Sequence, residues 1–305
     1  MTLNTARLML SDDLCARRAW YGLRWQAPFL TPKQILVSAV DHGLLASGDA
    51  GEAAETYALD LCVNPGLDTA EPDMLAVAEH IASFANLLAW TLQGTGGPWK
   101  RPEAIRLPDG SPWTTGAFLS PTETHLRRVV LLDRWDAWAE TALERGWDTA
   151  GECSVYGAPM DCLIVEIGAM RNGRWGNPFT RGYRHPVSKT LRFRKRDGED
   201  FGSTWSKVER EHESASREEW LGTLTEDGIL AETIHVHQVP VPERSGAILH
   251  LAQSRLARIR EAGEPPEENL SMCFSRMNPC PFRSCCPRGE EPSESLGFTR
   301  ITSCP

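Results

Sequence analysis

Cys273, Cys280, Cys285 and Cys286 fall within fourteen residues of one another in "NLSMCFSRMNPCPFRSCCPRGEEP", in a chain with nine cysteines in all. Thiolates ligate zinc and iron–sulfur clusters, so grouped thiols in a chain with no export signal predict a metal centre rather than a disulfide framework. Cys273, Cys280 and Cys286 form a trio with gaps of six and five residues, and Cys285 stands beside the last. Three thiolates complete neither a tetrahedral zinc site nor a four-iron cluster. A fourth ligand can come from Cys285, from Cys304, or from Cys15 far upstream in "LCARRAWYGLRW". Cys62, Cys153 and Cys162 lie in apolar or mixed surroundings and read as core residues.

A second feature concerns phosphate chemistry. Residues 171–196, "RNGRWGNPFTRGYRHPVSKTLRFRKR", carry nine Lys/Arg and no acid, although the chain has a net charge of −9. Arg171, Arg174, Arg181, Arg184, Lys189, Arg192, Arg194 and Lys195 can neutralise phosphates there, with Trp175, Phe179, Tyr183 and Phe193 interleaved as stacking faces. The competing reading is a solvated loop and edge strand that pairs with the protein's own carboxylates, with Trp175 and Tyr183 in the core. His235 and His237 in "TIHVHQ" share one strand face, a spacing that can ligate metal, but with no carboxylate or cysteine assigned nearby the pair reads as a half-exposed strand. Phosphate-loop, GxGxxG, HExxH and GxSxG patterns do not occur, and "GTGGPWK" reads as a linker.

The elements that must position these residues fall into three regions. Residues 1–95 read as helical: "SDDLCARRAWYGLRW" with Ser11 as N-cap, "SGDAGEAAETYALDL", and "EPDMLAVAEHIASFANLLAWTL". Residues 96–262, past the "GTGGP" breaker, mix strands with helices. "WTTGAFL" (113–119), "RRVVLLDRW" (127–135), "DCLIVEIG" (161–168), "TLRFRKR" and "TIHVHQVPV" read as strands. "WDAWAETALERGW", residues 216–224 and a basic stretch at 244–262 read as helices. Residues 263–305 form a polar linker and the cysteine-rich tail. This order predicts an α/β fold, with α+β as the variant. A charge of −9 rules out a protein that binds polyanions over its whole surface. Asp12 and Asp13 precede any apolar run long enough for a signal peptide, and "IASFANLLAWTL" is too short to span a bilayer, so a cytoplasmic protein without membrane partners is expected.

A lone cysteine followed by basic and aromatic residues on the first helix, with a cysteine trio near the C-terminus, resembles the iron–sulfur branch of the PD-(D/E)XK nucleases. These are RecB/AddB-like nucleases and the related CRISPR-associated and phage exonucleases. "AVDHGL" (39–44) and "CPFRSCC" add to the resemblance. It implies a restriction-endonuclease-like core, a central mixed sheet flanked by helices. It further implies a 4Fe–4S cluster, or zinc, held by Cys15, Cys273, Cys280 and Cys286, and His42 as a divalent-metal candidate.

That family binds Mg or Mn through an Asp on one strand and an acid on the next, with a Lys two residues after the acid. None of Lys33, Lys100, Lys189, Lys195 and Lys207 has an acid two residues before it. In "VVLLDRWDAW", Asp133 takes the acid's place and Trp135 the lysine's; Arg127, Arg128 or Arg134 would have to replace the ammonium. Asp133 can equally cap the helix that follows. Glu123 or Asp109 would substitute for the first Asp, and Glu152, four residues before Tyr156, sits on the family's post-core helix. The expected function is nucleic-acid processing, on DNA with RNA also open, within a recombination, phage-replication or defence complex, by a protein whose cleavage has been lost or has diverged. The alternatives are a non-enzymatic nucleic-acid-binding or scaffold protein with a structural cluster or zinc, and an α/β protein with a zinc knuckle alone.

Overall fold

The computed structural model describes residues 9, 15–69, 71–94, 99–110, 112–175, 183–184, 191–193, 234–266, 280–282, 285–286 and 290–301. The proposed start at Ser11, the helix at 216–224, Cys273, Cys304, Arg181, Lys189, Arg194 and Lys195 lie outside them. In chain order come α1 (Ala16–Arg24), β1 (Trp25–Gln26), α2 (Pro32–Leu45), α3 (Ala50–Leu61), α4 (Met74–Gly94), β2 (Ile105–Arg106), β3 (Pro112–Trp113), β4 (Phe118–Leu119) and β5 (Leu126–Leu132). There follow α5 (Ala137–Arg145), a wide helical turn (Trp147–Gly151), α6 (Glu152–Tyr156), β6 (Met160–Glu166), β7 (Tyr183–Arg184), β8 (Leu191–Phe193), β9 (Ile234–Val239), α7 (Ser245–Glu261) and β10 (Thr299–Arg300). Helices and a mixed sheet make this an α/β protein.

Helix starts follow local chemistry. Thr31 and Gln34 form a reciprocal capping box on α2, ahead of Pro32 in its first turn. Asp49 caps α3 through the Glu52 N–H. Asp136, not Asp133, caps α5, accepting from the N–H groups of Trp138 and Ala139.

The main sheet has the order β4-β5-β6-β9. β4 and β5 form an antiparallel hairpin, β5 and β6 run parallel, and β9 closes the edge antiparallel to β6. The crossover between the parallel pair carries α5, the wide turn and α6. Side chains alternate between two cores, as strand geometry requires. Val129, Leu131, Leu163 and Val165 face α2, α3 and α4, whereas Leu126, Cys162 and Ile164 pack with Leu143 of α5 and Ala150 and Cys153 beside it. Burial therefore runs continuously across the "GTGGP" boundary. α4 is long and apolar enough to cross a membrane by length and composition, and here most of its apolar residues are buried in the core.

The α2–α3 approach depends on Gly43. A Cβ there would collide with the Ala50 carbonyl and stand 2.8 Å from the Ala54 Cβ. Gly43→Ala is expected to cost about 1–3 kcal/mol, read as a lower urea midpoint at unchanged slope.

Candidate functional site

The two described ends of the chain meet on α1. Cys15 is its N-cap residue, is buried, and makes no capping hydrogen bond through its side chain. Trp20 and Tyr21, one turn on, pack with Cys280, Phe282, Cys285, Cys286 and Phe298. The Phe282 ring centroid lies 5.3 Å from that of Tyr21, and Phe298 stacks on Phe282 at 5.5 Å. A tight turn carries the thiols, with the N–H groups of Cys285 and Cys286 donating to the Phe282 carbonyl at 3.2 and 2.9 Å. β1 pairs with β10, matching Trp25 with Arg300 and Gln26 with Thr299.

The end of α7 is drawn into the same junction. Trp20 Nε1 donates to the Ala262 carbonyl at 2.9 Å, and Arg17 Nε to the Pro266 carbonyl at 2.6 Å. Arg24, stacked over Trp20, donates to the carbonyls of Ile259, Arg260 and Ala262. A cation at this helix C-terminus meets carbonyls that the helix itself leaves without partners.

The electrostatics suit a negatively charged centre. Burial pushes the Arg18 guanidinium down, opposed by the charges that Cys280 and Cys15 would carry as thiolates, so Arg18 faces both thiols. Burial, followed by Cys286, pushes the Tyr21 hydroxyl up to about 12. Four thiolates around an iron–sulfur core would carry net negative charge, which Arg18 and the α1 N-terminus could offset. Tetrahedral zinc with 2.3 Å bonds would hold its thiolates about 3.8 Å apart. Among the described residues no three cysteines offer donor atoms within 4.8 Å of one another. Burial raises Cys62, Cys153 and Cys162 to about 11, 12 and 12, leaving neutral thiols within the packing, and it pushes the Cys285 thiol of the junction up as well.

The candidates for phosphodiester chemistry are not brought together. Asp133 follows β5 and is half-exposed, with Lys33 Nζ of the first turn of α2 at 3.0 Å. His42 lies nine residues further along α2, about 13 Å of helical rise away, stacked on Tyr57 at 4.1 Å. Glu123 occupies the β4–β5 turn, at the opposite end of β5, with φ of 57° and Lys100 at 3.8 Å. Asp109 lies in the turn between β2 and β3.

Glu152 is fully buried. Arg128 Nη1 approaches it at 3.5 Å, the Thr115 hydroxyl donates to it, and the Gly116 N–H donates at 3.3 Å. Arg128 also reaches the Asp148 carboxylate at 3.7 Å and donates to the Asp148 carbonyl. Arg101 completes the network, donating to Asp41 at 3.1 Å and to the carbonyls of Gly116 and Ala117. Burial pushes the Glu152 carboxyl up, against the opposing pull of Arg128, Thr115 and Gly116. Burial acts to lower the Arg128 guanidinium, but Asp148, Glu152 and Asp41 outweigh it and hold the group above its ordinary range.

Of the basic segment, Arg171 and Arg174 form a small antiparallel bridge beyond β6, and β7 and β8, carrying Arg184 and Arg192, pair with each other. Trp175 is a core residue. It is 3% exposed, its ring lies 5.7 Å from that of Phe84, and its backbone N–H donates to His80 Nε2 at 3.0 Å. Three arrangements were not anticipated: Lys33 beside Asp133, the Arg128–Glu152–Asp148 network, and Glu140 and Glu144 beside His237. The arginine inside an apolar strand was a visible signal for the second, and His235 and His237 were half of the signal for the third. Compared with protein-family models, curated proteins and solved structures, the chain finds no match.

Proposed function

We propose that this is a nucleic-acid-processing protein resembling the iron–sulfur PD-(D/E)XK exonucleases, in which a cluster fastens the chain ends around a nuclease-like sheet and cleavage by this chain has been lost. The reading is carried by Arg18, which interacts with both Cys15 and Cys280, and by the packing of Cys280, Cys285 and Cys286 against Trp20 and Tyr21 of α1. Cys15, Cys280 and Cys286 would hold the cluster, with Cys273 as fourth ligand and Cys285 as its alternative. The cluster would supply a structural fastening. Arg18 would balance its charge, and Tyr21, Phe282 and Phe298 would keep water from it. The hairpin and parallel crossover of β4, β5 and β6 suit the family's core, and Arg171, Arg174, Arg184 and Arg192 would track the nucleic-acid backbone.

Loss of cleavage is favoured by the dispersal of the carboxylates. Glu152 is occupied by Arg128, and Glu123 and Asp133 stand at opposite ends of β5. The second reading, metal-dependent cutting at Asp133, draws on Lys33, which places an ammonium where the local sequence offers Trp135. The test incubates anaerobically purified protein with single- and double-stranded DNA, and with RNA, in Mg2+ or Mn2+. Salt-sensitive binding without cleavage at excess protein is expected, weakened in Arg171→Glu/Arg174→Glu. Cutting that disappears in Asp133→Asn and Lys33→Ala would establish the second reading. Failure to bind at low salt would overturn both.

A further inference from the structure

α5 and the edge strand β9 bring together three ligand-type side chains that the proposed function does not use. Glu140 and Glu144 are four residues apart on α5 and so share a face. His237 and His235 are two apart on β9, opposite Cys162 and Ile164, on the side of the sheet that α5 covers. The Glu140 Oε1 lies 3.9 Å from His237 Nδ1, and the Glu144 Oε1 lies 3.7 Å from Nε2. One donor atom from each of the three residues falls within 4.8 Å of the others. Both carboxylates are about half exposed, whereas the imidazole is 18% exposed and covered by the Trp135 ring at 5.5 Å. The Nε2 atom is buried and has no hydrogen-bond partner.

These distances are too long for hydrogen bonds, so neither carboxylate satisfies the imidazole directly. They are close to what a shared cation needs. One imidazole nitrogen serves the ion, and bonds of 2.0–2.2 Å place donors about 3–3.5 Å apart. Donors that lie within 4.8 Å of one another must therefore close by roughly 1–2 Å, which half-exposed glutamates can do by rotation. Two carboxylates and one imidazole, with no sulfur, select a first-row divalent ion such as Zn2+ or Mn2+, and leave positions for water. His235, with Glu166 at 3.7 Å, continues the same ligand-rich edge. We propose that Glu140, Glu144 and His237 bind one such ion and that it fastens α5 to β9. The site is separate from the cysteine junction and from Asp133, and it holds whether or not the proposed function does.

Mn2+ is the probe, because it prefers oxygen and imidazole donors and leaves thiolates to other metals. Free Mn2+ is followed by electron paramagnetic resonance while it is titrated into chelator-treated full-length protein at pH 7.5. Uptake of one equivalent is expected in wild type, Cys15→Ser and Asp133→Asn. His237→Gln and Glu144→Gln are expected to bind at least about tenfold more weakly. Wild type should also gain thermal stability with Zn2+ or Mn2+, and the two variants should not. Glu144 is half exposed, so Glu144→Gln preserves the test if His237→Gln fails to fold. Equal uptake by wild type and Glu144→Gln, or no uptake by wild type at millimolar Mn2+, overturns the proposal.

Discussion

Cys15→Ser is expected to remove the visible absorbance of the anaerobically purified protein at roughly 400 nm and to release residues 280–301 from α1. Once the shared centre is gone, the junction keeps the Tyr21–Phe282–Phe298 stack, a few side-chain bonds to carbonyls and the two-residue pairing of β1 with β10. A ladder that short is not stable by itself. A structural metal in a small domain contributes on the order of 10 kcal/mol of folding free energy, far more than these contacts supply. Limited proteolysis should therefore cut the variant after Pro266 under conditions that leave wild type intact. Cys153→Ser, which changes a neutral core thiol raised to about 12, should leave the absorbance untouched. Absorbance lost in Cys280→Ser but kept in Cys15→Ser would remove the N-terminal ligand, and with it the kinship to nucleases fastened at both ends. A colourless wild type that loses stoichiometric zinc on Cys15→Ser would replace the cluster by zinc.

Long periodic elements were legible in the sequence because their burial is local. α4, β5 and β6 fall where apolar spacing places them, although β5 ends at Leu132 rather than at Trp135, and α7 falls on the basic stretch expected as a helix. The expected strand at 113–119 is interrupted, and the interruption has a cause. The Gly116 N–H is taken by Glu152 and its carbonyl by Arg101, so neither joins a ladder, and only β3 and β4 remain as short pieces. Lys33 and Asp133 are 100 residues apart in sequence. A search along one strand for an acid and a lysine two residues later has no access to such a pair. The His235/His237 alternation and the Glu140/Glu144 repeat were each visible, but their meeting depends on β9 lying at the sheet edge beside β6, which strand order alone decides. Trp175 shows the converse. Arginine-rich neighbours left a stacking face and a core position equally open, and the ring is buried against α4, since an aromatic in a basic stretch still gains more from the core when a helix lies close.

Arg128→Ala is expected to destabilise the protein by about 3–5 kcal/mol, the cost of stripping the partner from a buried carboxylate. The guanidinium serves Glu152 and Asp148 together, so the loss should exceed that of Glu152→Ala, which leaves Arg128 paired with Asp148. Replacing both, as Arg128→Met/Glu152→Leu, should recover much of the difference, because apolar groups of similar volume leave no charge uncompensated. Glu152→Gln separates charge from hydrogen bonding. The folded-state pKa of Glu152 lies above that of an unfolded carboxyl, about 4.3, with burial as the leading cause. Its stabilising contribution is therefore complete below the unfolded value and is lost as pH rises through the raised folded one. Urea unfolding should find Glu152→Gln gaining on wild type as pH rises through that range, since glutamine does not titrate. An Arg128→Ala cost below about 1 kcal/mol, the range of exposed pairs, would mean that water reaches Glu152. The carboxylate would then be open to a cation, and metal-dependent cleavage would become the better reading of the site.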